Sequence, residues 1–305
     1  MTDDADKLRR RLEVLRLPVA PLRRHGVLAP SDPAATVDVP GVAGVGPDGT
    51  AVAVWPYRDA PGRQQVTWHV LDRRHAVAAV DIATDLRLSF VQPLPEGRVL
   101  VASARARPGE PNAEVWTAAG DLERRAHLGD AIEDLFTTAA GKVWASYFDE
   151  ALGGPGPEGH GLARFNDDLS VDWLYPRRDI VDCYTLNLTG ETAYFCPYTD
   201  FHILSATGDR VTDWGESPYR YAHTLLRRGP ELALIRGHGA EYDVATLLRL
   251  GSGGVVQQGA QCRIVFPDGL ETQRVRYFAR ADRAHAFVRS TWYTIDLDDL
   301  TAAAS

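Results

Sequence analysis

Cysteine is scarce in this chain. Cys183, Cys196 and Cys262 are the only ones among 305 residues and no C-x-x-C pair occurs, which argues against a disulfide framework and a zinc knuckle. Basic residues are also in deficit, with 33 Lys and Arg against 41 Asp and Glu and a net charge of −8. A surface that displaces counterions from phosphates concentrates cations, so nucleic acid is not an expected partner. Long apolar runs are missing too. The opening MTDDADKLRRRLEVLRL places acids ahead of its basic run and no apolar stretch behind it, so neither a signal peptide nor a membrane anchor is expected and the expected location is the cytoplasm. The nine histidines are scattered, without H-E-x-x-H, and there is no G-x-S-x-G elbow. GSGG at 251–254 lacks the Lys and Ser/Thr of a phosphate loop and reads as a strand connection.

What is present is a repeat. Five times a turn glycine stands just before a short apolar strand: Gly49 in PDGTAVAV, Gly97 in PEGRVLVA, Gly141 in AAGKVWAS, Gly190 in LTGETAYF and Gly229 in RRGPELAL. A sixth copy, ADRAHAFV, carries Arg283 at that position. Successive positions lie 48, 44, 49, 39 and 54 residues apart, about the length of one four-stranded propeller blade. The expected fold is therefore all-β, a six-bladed β-propeller over 37–300, with a short N-terminal helix and arm over 1–36 packed on the ring and a tail over 301–305. A hydrophobic fraction of 45% is ample for its core.

Leu8, Leu12 and Leu15 stand at helical spacing with Arg9, Arg10 and Arg11 around the other side, which predicts an amphipathic helix over 4–16 with its leucines packed on the ring. The last blade, ending in TWYTIDLDDL, has three strands. Some part of 12–40 is expected to supply the fourth and remove an exposed edge.

The third blade is the most regular, with strands expected in AIEDLFTTAA, GKVWASYFDE, HGLARFNDD and SVDWLYP. Its Gly141, Val143 and Trp144, followed by Gly161, Leu162, Arg164 and Phe165, resemble the bacterial repeat propellers of the two-component-regulator and SMP-30/NHL-like type. That resemblance implies the fold. SMP-30-like propellers hold a divalent ion at the channel mouth, and no residue pattern in this chain matches their ligands one by one.

Chemistry is expected at strand ends and loops, because the innermost strands of a propeller pack their side chains on neighbouring blades. Taking Ala140 and Gly141 as the turn sets Asp134 opposite Tyr147, Glu133 opposite Phe148 and Ile132 opposite Asp149. Counting back equally from the next glycines places Asp182 and Tyr221 level with Glu133, with His223 two residues further on. Glu133, Asp134, Asp149 and Asp182 are then candidate ligands of a hard cation such as Ca2+ or Mg2+, and Asp182, Asp149 and His223 the candidate catalytic groups. Tyr147, Phe148, Tyr184, Tyr198 and Tyr221 form the expected ligand-binding aromatic rim. A turn at Thr189–Gly190 would also set Cys183 against Cys196, as a buried apolar pair or a redox-sensitive one. The glycine-rich ALGGPGPEGHG loop is long enough to act as a lid.

Two functions fit these residues. One is a cytosolic protein that binds a small organic molecule, acting as a cation-assisted hydrolase, lyase or isomerase in which His223 moves the proton. The other is a non-catalytic protein-interaction scaffold using the same loop face.

Overall fold

A computed structural model describes residues 2–305 apart from 71, 72, 74, 178, 199, 237, 238, 252, 253, 255 and 274. Helix α1 (Thr2–Val14) leads into two short strands, β1 (Val19–Pro21) and β2 (Arg23–Val27). Three antiparallel meanders follow in chain order. The first is β3 (Val42–Val45), β4 (Ala51–Pro56), β5 (Arg63–His69) and β6 (Ala78–Ala83). The second is β7 (Phe90–Pro93), β8 (Val99–Ala102), β9 (Ala113–Trp116) and β10 (Leu122–Ala126). The third is β11 (Ile132–Thr137), β12 (Val143–Tyr147), β13 (Leu162–Phe165) and β14 (Val171–Leu174). Then come β15 (Leu186–Thr189), β16 (Thr192–Phe195), β17 (His202–Thr207) and β18 (Arg210–Glu216), and after them β19 (Ala222–Arg228), β20 (Glu231–Arg236), β21 (Val244–Leu250) and β22 (Val256–Val265). The last meander, β23 (Tyr277–Arg280), β24 (Arg283–Val288) and β25 (Thr291–Asp296), runs into helix α2 (Leu297–Ala304). Of the GSGG connection, residues 252 and 253 lie outside the described residues.

The chain divides into two compact units, residues 25–183 with 287–292, and residues 1–24 with 184–286 and 293–305. In the first, the leading strands β3, β7 and β11 of the three meanders neighbour one another. The second repeats the plan with β15, β19 and β23. This placement of first strands side by side is propeller-like. It explains why β8, β9, β12 and β13 are buried at every position: sheets covered on both faces need continuous apolar runs, while outer strands such as β10 stay exposed. Close stacking also selects residues. A Cβ on Gly44 of β3 would stand 2.1 Å from the Val91 carbonyl oxygen of β7, so only glycine fits there.

All five turn glycines have left-handed backbone, with φ of 82° at Gly49, 74° at Gly97, 89° at Gly141, 60° at Gly190 and 58° at Gly229. In the sixth copy that conformation falls on Ala281 (φ 49°), not Arg283, because Arg280 pairs with Arg283 across a two-residue turn. The arm supplies two strands rather than one: β1 adds parallel to β22, and β2 ends the last sheet beside β25. The end of the chain departs from expectation. Residues 297–304 are helical, not strand and tail, because Asp296 and Asp299 form a reciprocal capping box that starts α2. No described helix is long and apolar enough to cross a membrane.

Within the first unit a buried polar relay crosses two strands. Trp55 Nε1 donates to Thr67 Oγ1 at 2.7 Å, and Thr67 Oγ1 lies 2.8 Å from His69 Nε2. Burial pushes His69 down from 6.5 to about 4. Its folded form therefore resists protonation that the unfolded chain accepts, so stability is complete above pH 6.5 and falls as pH drops towards 4. Unfolding free energy is expected to be about 2–3 kcal/mol lower at pH 4.5 than at pH 8 from this group alone. Urea titrations of wild type and His69→Gln at both pH values check this; an equal acid loss in the variant contradicts it.

Candidate functional site

The sequence-predicted acids fall in the first unit, and the register there differs from expectation. The β11–β12 hairpin closes through a three-residue loop, with Gly141 N–H donating to Thr138 O at 3.0 Å and Thr138 N–H to Lys142 O at 2.8 Å. Asp134 thus pairs with Ser146, not Tyr147, and a bulge at Glu133 brings Ile132 opposite Tyr147 instead of Asp149. Asp134 and Asp182 are buried, Glu133 is half-buried and Asp149 is exposed at the start of a 3-10 turn. Among the described residues no group of three or more His, Cys, Asp or Glu is arranged to hold a metal ion.

Two members of the expected aromatic rim also lie in this unit. Tyr147 is core: its ring is fully buried and its hydroxyl donates to the Leu128 carbonyl, so it offers nothing to a ligand. Phe148 is half-buried beneath the Arg105 guanidinium, 5.6 Å from its ring centre, and Arg105 is itself held by Asp130 at 2.9 Å and by Glu150. The glycine-rich loop is folded down rather than standing off as a flap. The buried Glu158 carboxylate accepts from Gly156 N–H at 3.1 Å, and His160 Nδ1 lies 2.8 Å from the Tyr175 carbonyl. The resemblance motif has a physical role in the same sheet, where Arg164 sits over both Trp144 and Trp173 at 5.3 and 5.8 Å and pairs with Asp172. A mostly apolar cavity of about 520 Å3, lined by Trp68, Val80, Leu94 and Pro95 among others, touches none of the predicted residues.

The second unit does bring predicted residues together. Tyr184 stands 5.1 Å from His223 and 6.2 Å from Tyr198, ring centre to ring centre. Tyr198 continues to Tyr221 at 6.2 Å. Phe201, which the sequence reading passed over within PYTDFH, packs edge-on against both, at 5.3 Å from Tyr198 and 5.2 Å from Tyr221. Arg220 lies 5.3 Å over the Phe201 ring and reaches Glu216 at 3.2 Å. Tyr184, Tyr198 and His223 are half-buried, while Tyr221 leaves 45% of its surface exposed.

The backbone under this cluster is unusual. Phe201 and Tyr221 both have left-handed φ, 56° and 64°. Such a conformation costs a non-glycine residue about 1–2 kcal/mol and persists only where surrounding contacts hold it. Phe201 is held by its N–H on Pro197 O at 3.1 Å and by Ser217 N–H on its own carbonyl at 2.9 Å. The Cys196 thiol also donates to that carbonyl, at 3.4 Å. Burial pushes this thiol up to about 12, so it stays protonated. The expected Cys183–Cys196 pairing is not formed. The β15–β16 turn is Gly190–Glu191, which sets Cys196 N–H on the Thr185 carbonyl at 3.4 Å, and both cysteines are free thiols.

No family model matches the chain, and no curated protein matches it in sequence. Solved structures do resemble it. Hsv2 of Kluyveromyces lactis superposes with a TM-score of 0.50 at 10% identity, over 85% of this chain and 73% of that one. Regucalcin of Agrobacterium tumefaciens, described as a calcium-binding protein, gives 0.48 at 13% identity over 91% and 95%. A gluconolactonase of Xanthomonas campestris gives 0.45 at 14% over 90% and 98%. At these identities the likeness concerns fold alone.

Proposed function

We propose that this protein, read as a six-bladed propeller, binds a small organic molecule on the aromatic surface made by Tyr184, Tyr198, Tyr221 and His223. One observation carries the reading: two touching aromatic residues, Phe201 and Tyr221, are both kept in a left-handed backbone conformation that glycine would adopt without strain. Phe201 is buried beneath the rim and Tyr221 is exposed above it, and backbone strain of this kind clusters where side chains must be aimed at a ligand. Aromatic faces with phenolic and imidazole tips suit a flat or cationic organic molecule, held by stacking and a few hydrogen bonds. His223, stacked near Tyr184, supplies the imidazole of this cluster.

Thermal-shift screening with phenols, indoles and quaternary ammonium compounds tests the reading. At least one compound should raise the melting temperature of the wild type and fail to do so in Tyr221→Gly. The glycine variant should itself be as stable as the wild type or up to about 1 kcal/mol more stable, because left-handed strain is relieved. A large loss of stability would mark Tyr221 as a structural residue, and an unchanged compound shift would place binding elsewhere.

A further inference from the structure

Helix α1 is amphipathic with its faces reversed. Its polar side meets the protein: Arg10 Nε donates to Glu241 at 2.6 Å, and Arg11 grips Asp243 with two bonds of 2.6 and 2.9 Å while also reaching Glu271 at 2.6 Å and the Ala240 carbonyl at 3.0 Å. Arg11 also lies 4.3 Å over the Tyr242 ring. Among the described residues of this side, Val14 is the apolar one that is buried. The leucines expected to pack inward instead face solvent, with Leu8 63%, Leu12 53% and Leu15 43% exposed, and Val19 just beyond the helix is half-exposed. A helix anchored by its charges and showing its leucines is built to be covered by something else.

We propose that a second copy of this chain covers it, the two α1 helices pairing antiparallel. Leu8, Leu12 and Leu15 are spaced by four and three residues, the seam spacing of paired helices, and Leu15 N–H still bonds Arg11 O at 2.9 Å, which keeps it on the same stripe. Charge along the helix selects direction. Asp4 and Asp6 lie in its first half and Arg9 and Arg16 in its second half or just past it. Parallel pairing would align like charges, whereas antiparallel pairing sets each acidic end beside a basic one and opposes the helix dipoles favourably. Around a two-fold axis near Leu12, Leu8 then meets Leu15 of the other copy. An anionic membrane suits the stripe less, because acids and bases are mixed around it and the chain carries a charge of −8. The seam is smaller than the roughly 1,200 Å2 of a stable interface, so the association is weak and concentration-dependent.

Sedimentation velocity over a concentration series into the high micromolar range should show the wild type moving from monomer to dimer. Leu8→Glu with Leu12→Glu should stay monomeric at every concentration with an unchanged melting temperature. Direction is read by cross-linking, since the native cysteines are all buried. Under mild oxidation Leu12→Cys should form a disulfide-linked dimer by itself, and Leu8→Cys only when mixed with Leu15→Cys. A wild type that remains monomeric throughout, or a dimer that survives the glutamates, overturns the pairing. So does co-sedimentation of the wild type with phosphatidylserine vesicles that the glutamates abolish, which would assign the stripe to a membrane. Self-linking of Leu8→Cys alone would overturn the antiparallel direction.

Discussion

Asp243→Ala should lower the unfolding free energy by roughly 3–5 kcal/mol. Asp243 is fully buried, and its carboxylate accepts two bonds from Arg11 and a third from Arg263 Nε at 3.1 Å. Arg263, on β22, is almost as deeply enclosed as the acid itself. Removing the carboxylate leaves that guanidinium desolvated with its counter-charge gone, and this is the source of the large effect: the stranded partner, more than the lost attraction, carries the cost. Arg11→Ala should cost far less, about 1–2 kcal/mol, because Arg263 still neutralises the acid and Arg11 remains partly in contact with water. Urea unfolding of the three proteins gives the comparison. Equal losses in the two variants, or a loss under about 1 kcal/mol for Asp243→Ala, would show that the network is peripheral to folding.

A second large effect is expected at Asn187. Its side chain is fully buried on β15, where Nδ2 donates to the Leu225 carbonyl of β19 and to the Ala281 carbonyl of the β23–β24 turn, each at 2.7 Å, while Oδ1 accepts from Ala281 N–H at 3.0 Å. One amide thus joins three neighbouring meanders. Asn187→Leu keeps the volume and removes all three bonds. Ala281 retains its links to Leu188 O at 3.1 Å and from Arg227 N–H at 2.7 Å, so about 2–3 kcal/mol is the expected loss. Asn187→Asp should be worse, because a buried carboxylate would face two carbonyl oxygens. Denaturant midpoints that rank aspartate as the milder change would contradict this geometry.

Much of the architecture was readable before any coordinates. A turn glycine must precede a strand wherever the hairpin needs positive φ, and Gly49, Gly97, Gly141, Gly190 and Gly229 all meet that need. The aromatic cluster was half legible: Tyr184, Tyr198, Tyr221 and His223 were singled out, but Phe201 was not, because a single aromatic in a loop signals nothing until its neighbours are known. Register was read less well. A loop of three residues where two were expected makes Asp134 meet Ser146, and a two-residue turn placed one residue later, at Gly190–Glu191 rather than Thr189–Gly190, keeps Cys183 and Cys196 from pairing; either slip shifts every cross-strand partner.

The amino-acid order alone determined the all-β class, the blade-length repeat and the helical character of the N-terminus, since each follows from local periodicity and turn chemistry. Which face of α1 turns inward was decided only by tertiary structure. Periodicity marks an apolar stripe but cannot see that Asp243, Glu241 and Glu271, more than two hundred residues away, present a stronger attraction to the opposite side. Long-range charge pairing outweighed the local hydrophobic pattern, and that competition has no trace in the sequence of the helix itself.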